Sequence, residues 1–309
     1  MKYPVLDGHC DTAVELWRKG ESLAKNSGQI SLAQAAEFPA YVQFFAFCTV
    51  WIKNAQTDEE RFASAMAYFS EQRREHNIPL CRTSADVSAI LQNGGVGAAL
   101  SIEGAEAFDC DSGRLEELAA QGVRMIAPVW NAENALAGSC MTGGGLTAQG
   151  REFVRRAQRA GIIVDVSHSS ERAFWDICEI AEKPIVASHS NAKAVCGHVR
   201  NLTDEQFRAI CDLGGTVGLN LYAPFLNASG HASMDDVRRH LEHFLERDGD
   251  GHLALGGDLD GCDVLPDGMH GLRDYALLET NFEKWGFGEQ IVRNLFYQSL
   301  EKVVKLCIM

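Results

Sequence analysis

Short apolar runs recur along this chain and alternate with longer stretches of helical periodicity. The runs read as strands over Pro4–His9, Tyr41–Val50, Gly97–Ile102, Val123–Val129, Ile162–His168, Pro184–His189, Thr216–Tyr222 and Leu253–Asp258. Between them the apolar spacing predicts helices over residues 57–76, 84–92, 114–121, 147–160, 171–182, 203–213 and 234–247, and a last one over 288–305. Thr57-Asp58-Glu59-Glu60 and Thr203-Asp204-Glu205-Gln206 have the form of capped helix starts, and Gly122 and Gly161 stand at helix ends. Residues 12–40 read as an irregular loop with a short helix at Leu32–Glu37, and Asn131–Gly145, rich in Gly, Ala and Asn, as a long loop. Pro128 cannot donate to a sheet ladder and so belongs near a strand end.

Eight strands separated by helices fit a (β/α)₈ TIM barrel better than a doubly wound sheet, because no G-x-G-x-x-G follows the first strand. No repeat, low-complexity tract or linker divides the chain, so residues 1–309 are expected to form one barrel domain.

Composition narrows the partners. Of 309 residues 46% are hydrophobic and 23% charged, and the net charge is −14. Such a surface argues against nucleic acid or an anionic membrane as partner. The ten cysteines form no C-x-x-C pair, and several lie in apolar runs, as Cys48 does in Phe44-Phe45-Ala46-Phe47-Cys48. They read as reduced thiols of a cytoplasmic protein. No apolar run is long enough to span a bilayer, and no signal segment or anchor is visible.

Chemistry gathers at one end of the strands. His9 and Asp11 close the first, Glu103 the third, His168 the fifth, His189 the sixth and Asp258 the eighth. In a barrel the C-terminal strand ends form the active-site mouth. Imidazoles and carboxylates buried together there need a cation, and they exceed what one tetrahedral zinc requires. Two ions bridged by a carboxylate would use them all, with Glu103 placed to bridge. Cys10 is expected to point away from His9 and Asp11 into the core, and Asp165 and Asp260 to play supporting roles. His76, His231, His240, His243 and His252 read as solvated, whereas His198 and His270 lie on loops near the site.

The motifs Asp7-Gly8-His9-x-Asp11, Ile102-Glu103-Gly104, Val164-Asp165-Val166-Ser167-His168, Ser188-His189-Ser190-Asn191-Ala192, Arg200-Asn201 and Gly256-Gly257-Asp258-Leu259-Asp260-Gly261 occur in this order. With them the chain resembles the membrane (renal) dipeptidase family of zinc metallopeptidases, over nearly its whole length. The resemblance implies a two-zinc barrel hydrolase in which a hydroxide bridging the metals attacks the peptide carbonyl of a dipeptide. His9, Asp11 and Glu103 would hold one zinc, and Glu103, His168 and His189 the other. Asp258 would carry the proton, and Arg200 would grip the substrate's terminal carboxylate. The pattern departs at Trp130, where relatives carry a His that binds the scissile carbonyl oxygen, and at Phe225, where some carry a Tyr. Trp130 and Tyr222 are then expected to line the substrate pocket. The alternatives are a deacylase or lactonase on the same metal site, or a catalytically silent binding homologue. The expected partner is a small dipeptide, with a homodimer as the compatible assembly.

Overall fold

The computed structural model describes residues 1–308. Eight parallel strands close into a barrel in chain order: β1 (Val5–Cys10), β2 (Ala40–Phe47), β3 (Gly95–Glu103), β4 (Val123–Ala127), β5 (Ile163–Asp165), β6 (Ile185–Ala187), β7 (Thr216–Leu219) and β8 (Leu253–Leu255). Pairing of Asp7 with Leu255 closes the ring. Strands covered on both faces must be apolar throughout, and apart from the exposed start of β3 and Arg124 in β4 every strand residue is buried.

Alternation divides the core in two. Tyr41, Phe45, Ala98, Leu100 and Ile102 pack outward among the helices. Leu6, Val42, Phe44, Ala99, Met125, Ile163, Val186 and Ala254 form a second cluster, which the C-terminal helix Ser299–Cys307 joins through Leu300, Val303 and Val304. The barrel is thus filled and plugged from below. The same alternation carries Glu103, Asp165 and Ser188 inward, above that plug.

β5 to β8 are shorter than the sequence suggests. Past the ends of β5, β6 and β7, side chains take up part of the pairing. The Asp165 carboxylate accepts from the backbone N–H of Ser167 and Ser188 (both 3.0 Å), Asn191 Oδ1 from Asn220 N (3.1 Å), and Asn220 Oδ1 from Tyr222 N (2.6 Å). These bonds satisfy buried backbone donors without continuing the sheet.

Three α-helices lie where the sequence reading expected none, one of them the single turn Ala223–Leu226. Thr12–Lys19 follows β1 directly, burying Ala13, Val14 and Leu16 and ending at Gly20 in the left-handed region (φ +66°). Tyr275–Lys284 packs Tyr275 against β1. The last predicted helix is interrupted by a π-turn at Asn294–Gln298. His240, expected to be solvated, is fully buried, where Nδ1 accepts from Ala192 N (3.0 Å) and Nε2 donates to the Leu226 carbonyl (2.9 Å). Cys10 is in the core as expected, and all ten cysteines are free thiols. No helix among the described residues is long and apolar enough to cross a membrane.

Candidate metal centre and active site

A bulge in β1 builds the first part of the site. Pairing with β2 runs in register to Asp7–Gln43 and then slips, so that Cys10 pairs with Phe45. Simple alternation would send Asp7 and His9 the same way. The bulge separates them, as such irregularities commonly do beside active sites. Asp7 stays with the outer layer, accepting from Tyr275 Oη, Gln43 Nε2 (3.2 Å) and the backbone N–H of His9 (2.9 Å). His9 turns into the mouth, where Nε2 lies 3.6 Å from Asp11 Oδ2, 3.8 Å from Glu103 Oε1 and 3.7 Å from Asp258 Oδ1.

The other two histidines approach from β5 and β6. His168 Nε2 is 2.8 Å and His189 Nε2 3.3 Å from the same Glu103 oxygen, and the two nitrogens are 3.2 Å apart. Their outer nitrogens set the tautomers. His168 Nδ1 lies 3.0 Å from Asn131 Oδ1, which can only accept. His189 Nδ1 lies 2.7 Å from Ser188 Oγ, whose own proton goes to Asp165. Each ring therefore donates outward through Nδ1 and turns the Nε2 lone pair inward, the arrangement of a metal-ligating histidine. Arg200 Nη2 donates to His168 Nε2 (3.0 Å).

The centre draws positive charge. His9 Nε2 and Glu103 Oε1 are buried and lack any partner in hydrogen-bond geometry. Burial opposes a charge on His9, yet Glu103, Asp11 and Asp258 raise its pKa to about 10. Burial raises Asp11 to about 7 against the pull of His9. Glu103, though buried, is held well below the usual carboxylate range by His168 and His9. Burial and the Arg200 charge push His168 down to about 4. The donor atoms of His9, Glu103 and His189 converge within 4.8 Å of one another, as do those of His9, Asp11 and Asp258. Nitrogen and carboxylate donors in this number suit divalent ions such as zinc.

The β8 end supplies Asp258, in the left-handed region (φ +57°), a conformation costly for most side chains. It persists because Asp258 N donates to the His9 carbonyl (3.2 Å) and Asp11 N to the Leu259 carbonyl (2.9 Å), tying the segment to β1. Asn220 Nδ2 donates to Asp258 Oδ2 (2.9 Å), leaving Oδ1 on the His9 side. Gly261 lets Asp11 and Asp258 approach. A Cβ there would fall 2.7 Å from Asp258 Oδ1 and closer still to Asp11 Oδ2. Asp260 is structural, with one carboxylate oxygen taken by Thr12 Oγ1 (2.6 Å) and the other by Gln29 N (2.6 Å).

These groups floor a cleft of about 590 Å³ that also carries Arg200, Trp130, Tyr222, His198 and Phe225 in its walls. His270 is exposed and outside it. Arg200 is 5% exposed, has no carboxylate within 4.0 Å among the described residues, and holds Nη1 unpartnered. Phe225 lies under its guanidinium, 5.5 Å from ring centre to Cζ. Asn220, Ser188 and Asn131 orient the site, and the sequence reading assigned none of them a role. The only available signal was their place beside the strand-end ligands.

The membrane dipeptidase family, peptidase family M19, matches residues 1–307. The chain belongs to this family. An uncharacterized protein from the pqqA 5′ region of Klebsiella pneumoniae is 36% identical over 240 residues, covering 74% of this chain and 88% of its own. Two solved structures superpose over nearly the full length. The dipeptidase AC, an M19 metallopeptidase, has a TM-score of 0.91 at 27% identity, covering 100% of this chain and 99% of its own. A metallopeptidase of Rhodobacter sphaeroides, liganded with a phosphinate mimic of the dipeptide L-Ala-D-Ala, has a TM-score of 0.89 at 27% identity, covering 99% of both chains. The M19 chain described here is accordingly a metallodipeptidase-type hydrolase on a (β/α)₈ barrel.

Proposed function

We propose that this enzyme is a zinc dipeptidase that hydrolyses dipeptides with a free C-terminal carboxylate, and that residues 1–309 act as one catalytic unit. His9, Asp11 and Glu103 would hold one ion, and Glu103, His168 and His189 a second. Two bound zinc ions supply Lewis acidity at the scissile carbonyl and bring the pKa of a water toward about 7. Asp258 takes the proton from the attacking water and passes it to the leaving amine, because Asn220 holds Oδ2 and leaves Oδ1 facing the centre. Trp130 shapes the cleft wall and can donate one hydrogen bond, but it cannot become cationic as a His can. Ten free thiols fit a reducing compartment, and we place the enzyme in the cytoplasm.

One observation carries the substrate reading. Arg200 is a buried cation without a carboxylate partner among the described residues, beside the metal-ligand cluster and at the edge of the cleft. A buried charge needs a counterion, and a substrate carboxylate fits a guanidinium bidentately. A fixed anchor next to the reacting centre also measures length, so that dipeptides fit and longer chains do not. The Rhodobacter sphaeroides relative with its bound dipeptide mimic supports the same class.

The test compares dipeptides with their C-terminal amides. Amidation is expected to cost about 2–4 kcal/mol in kcat/KM, the scale of leaving a charged partner unpaired. Arg200→Ala is expected to treat acid and amide nearly alike. A wild type that cleaves the amide as well as the acid would favour the deacylase or lactonase reading.

A further inference from the structure

Strand order gives the cleft a direction. Arg200 follows β6, Trp130 and Met141 follow β4, and Phe225 follows β7, whereas Val14 follows β1 and Trp51 follows β2. In a closed ring of eight, β2 stands opposite β6. The cleft therefore runs from Arg200, over Glu103 and the histidines, to Trp51 and Val14. A dipeptide anchored at Arg200 lays its C-terminal residue against the β4–β7 wall and its N-terminal residue toward the β1–β2 wall.

Each wall carries one large apolar side chain exposed to solvent. Trp51 is 41% and Met141 62% exposed, and both line the cleft. The other large exposed hydrophobics, Trp175, Val199, Val264, Leu277 and Leu306, do not. Exposed apolar side chains that line a cleft are a mark of ligand contact. Among the described residues no lysine lines the cleft, and Lys53, two residues past Trp51, lies outside it with Nζ on the Val50 carbonyl (3.1 Å). Of the carboxylates lining the lip, Glu15 is held by Arg18 (2.9 Å) and Lys19 (3.2 Å), and Asp263 stands beside Tyr222. Arg200, the cleft's one guanidinium among the described residues, is already committed to the substrate's terminus.

The geometry points to dipeptides with large uncharged apolar side chains at both positions, the N-terminal one on Trp51 and the C-terminal one on Met141 and Trp130. This rests on the dipeptidase reading with Arg200 as carboxylate anchor.

The experiment measures kcat/KM of the zinc-loaded enzyme for Ala-Ala, Leu-Ala, Ala-Leu, Glu-Ala and Ala-Glu, in L,L and L,D forms. Leu-Ala and Ala-Leu are expected to exceed Ala-Ala about tenfold or more, the scale of a filled hydrophobic contact, with the Glu dipeptides below Ala-Ala. Trp51→Ala should lower the Leu-Ala to Ala-Ala ratio about tenfold and spare the Ala-Leu to Ala-Ala ratio. Met141→Ala should do the reverse. Each ratio is taken within one preparation, so a partly inactive variant does not distort it. Dipeptides cleaved without preference for Leu, Glu cleaved as fast as Leu, or variants that leave the ratios unmoved or exchange them would overturn the inference while leaving the dipeptidase reading standing. Failure to cleave any dipeptide would overturn both.

Discussion

Replacing Asp258 by Asn is expected to reduce kcat by about 10²–10⁴, the usual worth of a positioned acid–base group, while the bound metal stays in place. Asn is nearly isosteric and is among the few side chains that tolerate the left-handed backbone found at this position (φ +57°). The segment would still hang on β1 through the Asp258 N and Asp11 N bonds. What the amide cannot do is accept the proton of the attacking water. Metal analysis beside steady-state kinetics separates two roles, since Asp258 also converges with His9 and Asp11 as a cation-binding group. Retained metal with lost turnover identifies the proton carrier, whereas lost metal makes Asp258 a ligand. Near-normal turnover would move the proton role elsewhere, and not to Asp260, whose two oxygens are held by Thr12 and Gln29.

Glu103→Gln is expected to be the most damaging single change at the metal centre, taking bound zinc from about two equivalents to well below one and activity with it. One Glu103 oxygen faces all three histidines, at 2.8, 3.3 and 3.8 Å. It is the anion that the whole cluster shares. An amide keeps the shape but loses the charge, and its NH₂ group would turn a donor toward a site that calls for acceptors. His189→Ala removes one nitrogen from one side and is expected to leave about one equivalent. Equal loss in the two variants would contradict a bridging role for Glu103.

The strand ends were legible because a fully covered strand is apolar throughout, so His9, Glu103, His168, His189 and Asp258 stand out where the apolar runs stop. Glu103 also follows by alternation from Ala99, two residue pairs earlier on the inward face. His9 does not. It reaches the mouth through a bulge, which no periodicity reveals, and alternation alone would have grouped it with Asp7. The helix Thr12–Lys19 is readable from Ala13, Val14, Leu16 and Trp17 at helical spacing and from Gly20. Asn220, Ser188 and Asn131 act through hydrogen bonds to residues distant in sequence, so only the closed barrel shows what they hold. His240 falls with Val237, Leu241 and Phe244 on the buried face of its helix, and the fold gives its ring two backbone partners.

A metal pair in this mouth that hydrolyses dipeptides makes turnover depend on metal loading. The most direct measurement strips the protein with a chelator, returns zinc stepwise and follows cleavage of a dipeptide at each step. Turnover is expected to be negligible without zinc and to rise until it saturates at about two equivalents per chain. Full turnover without metal, saturation at one equivalent, or no dipeptide cleavage at any loading would contradict a dipeptide-hydrolysing metal pair.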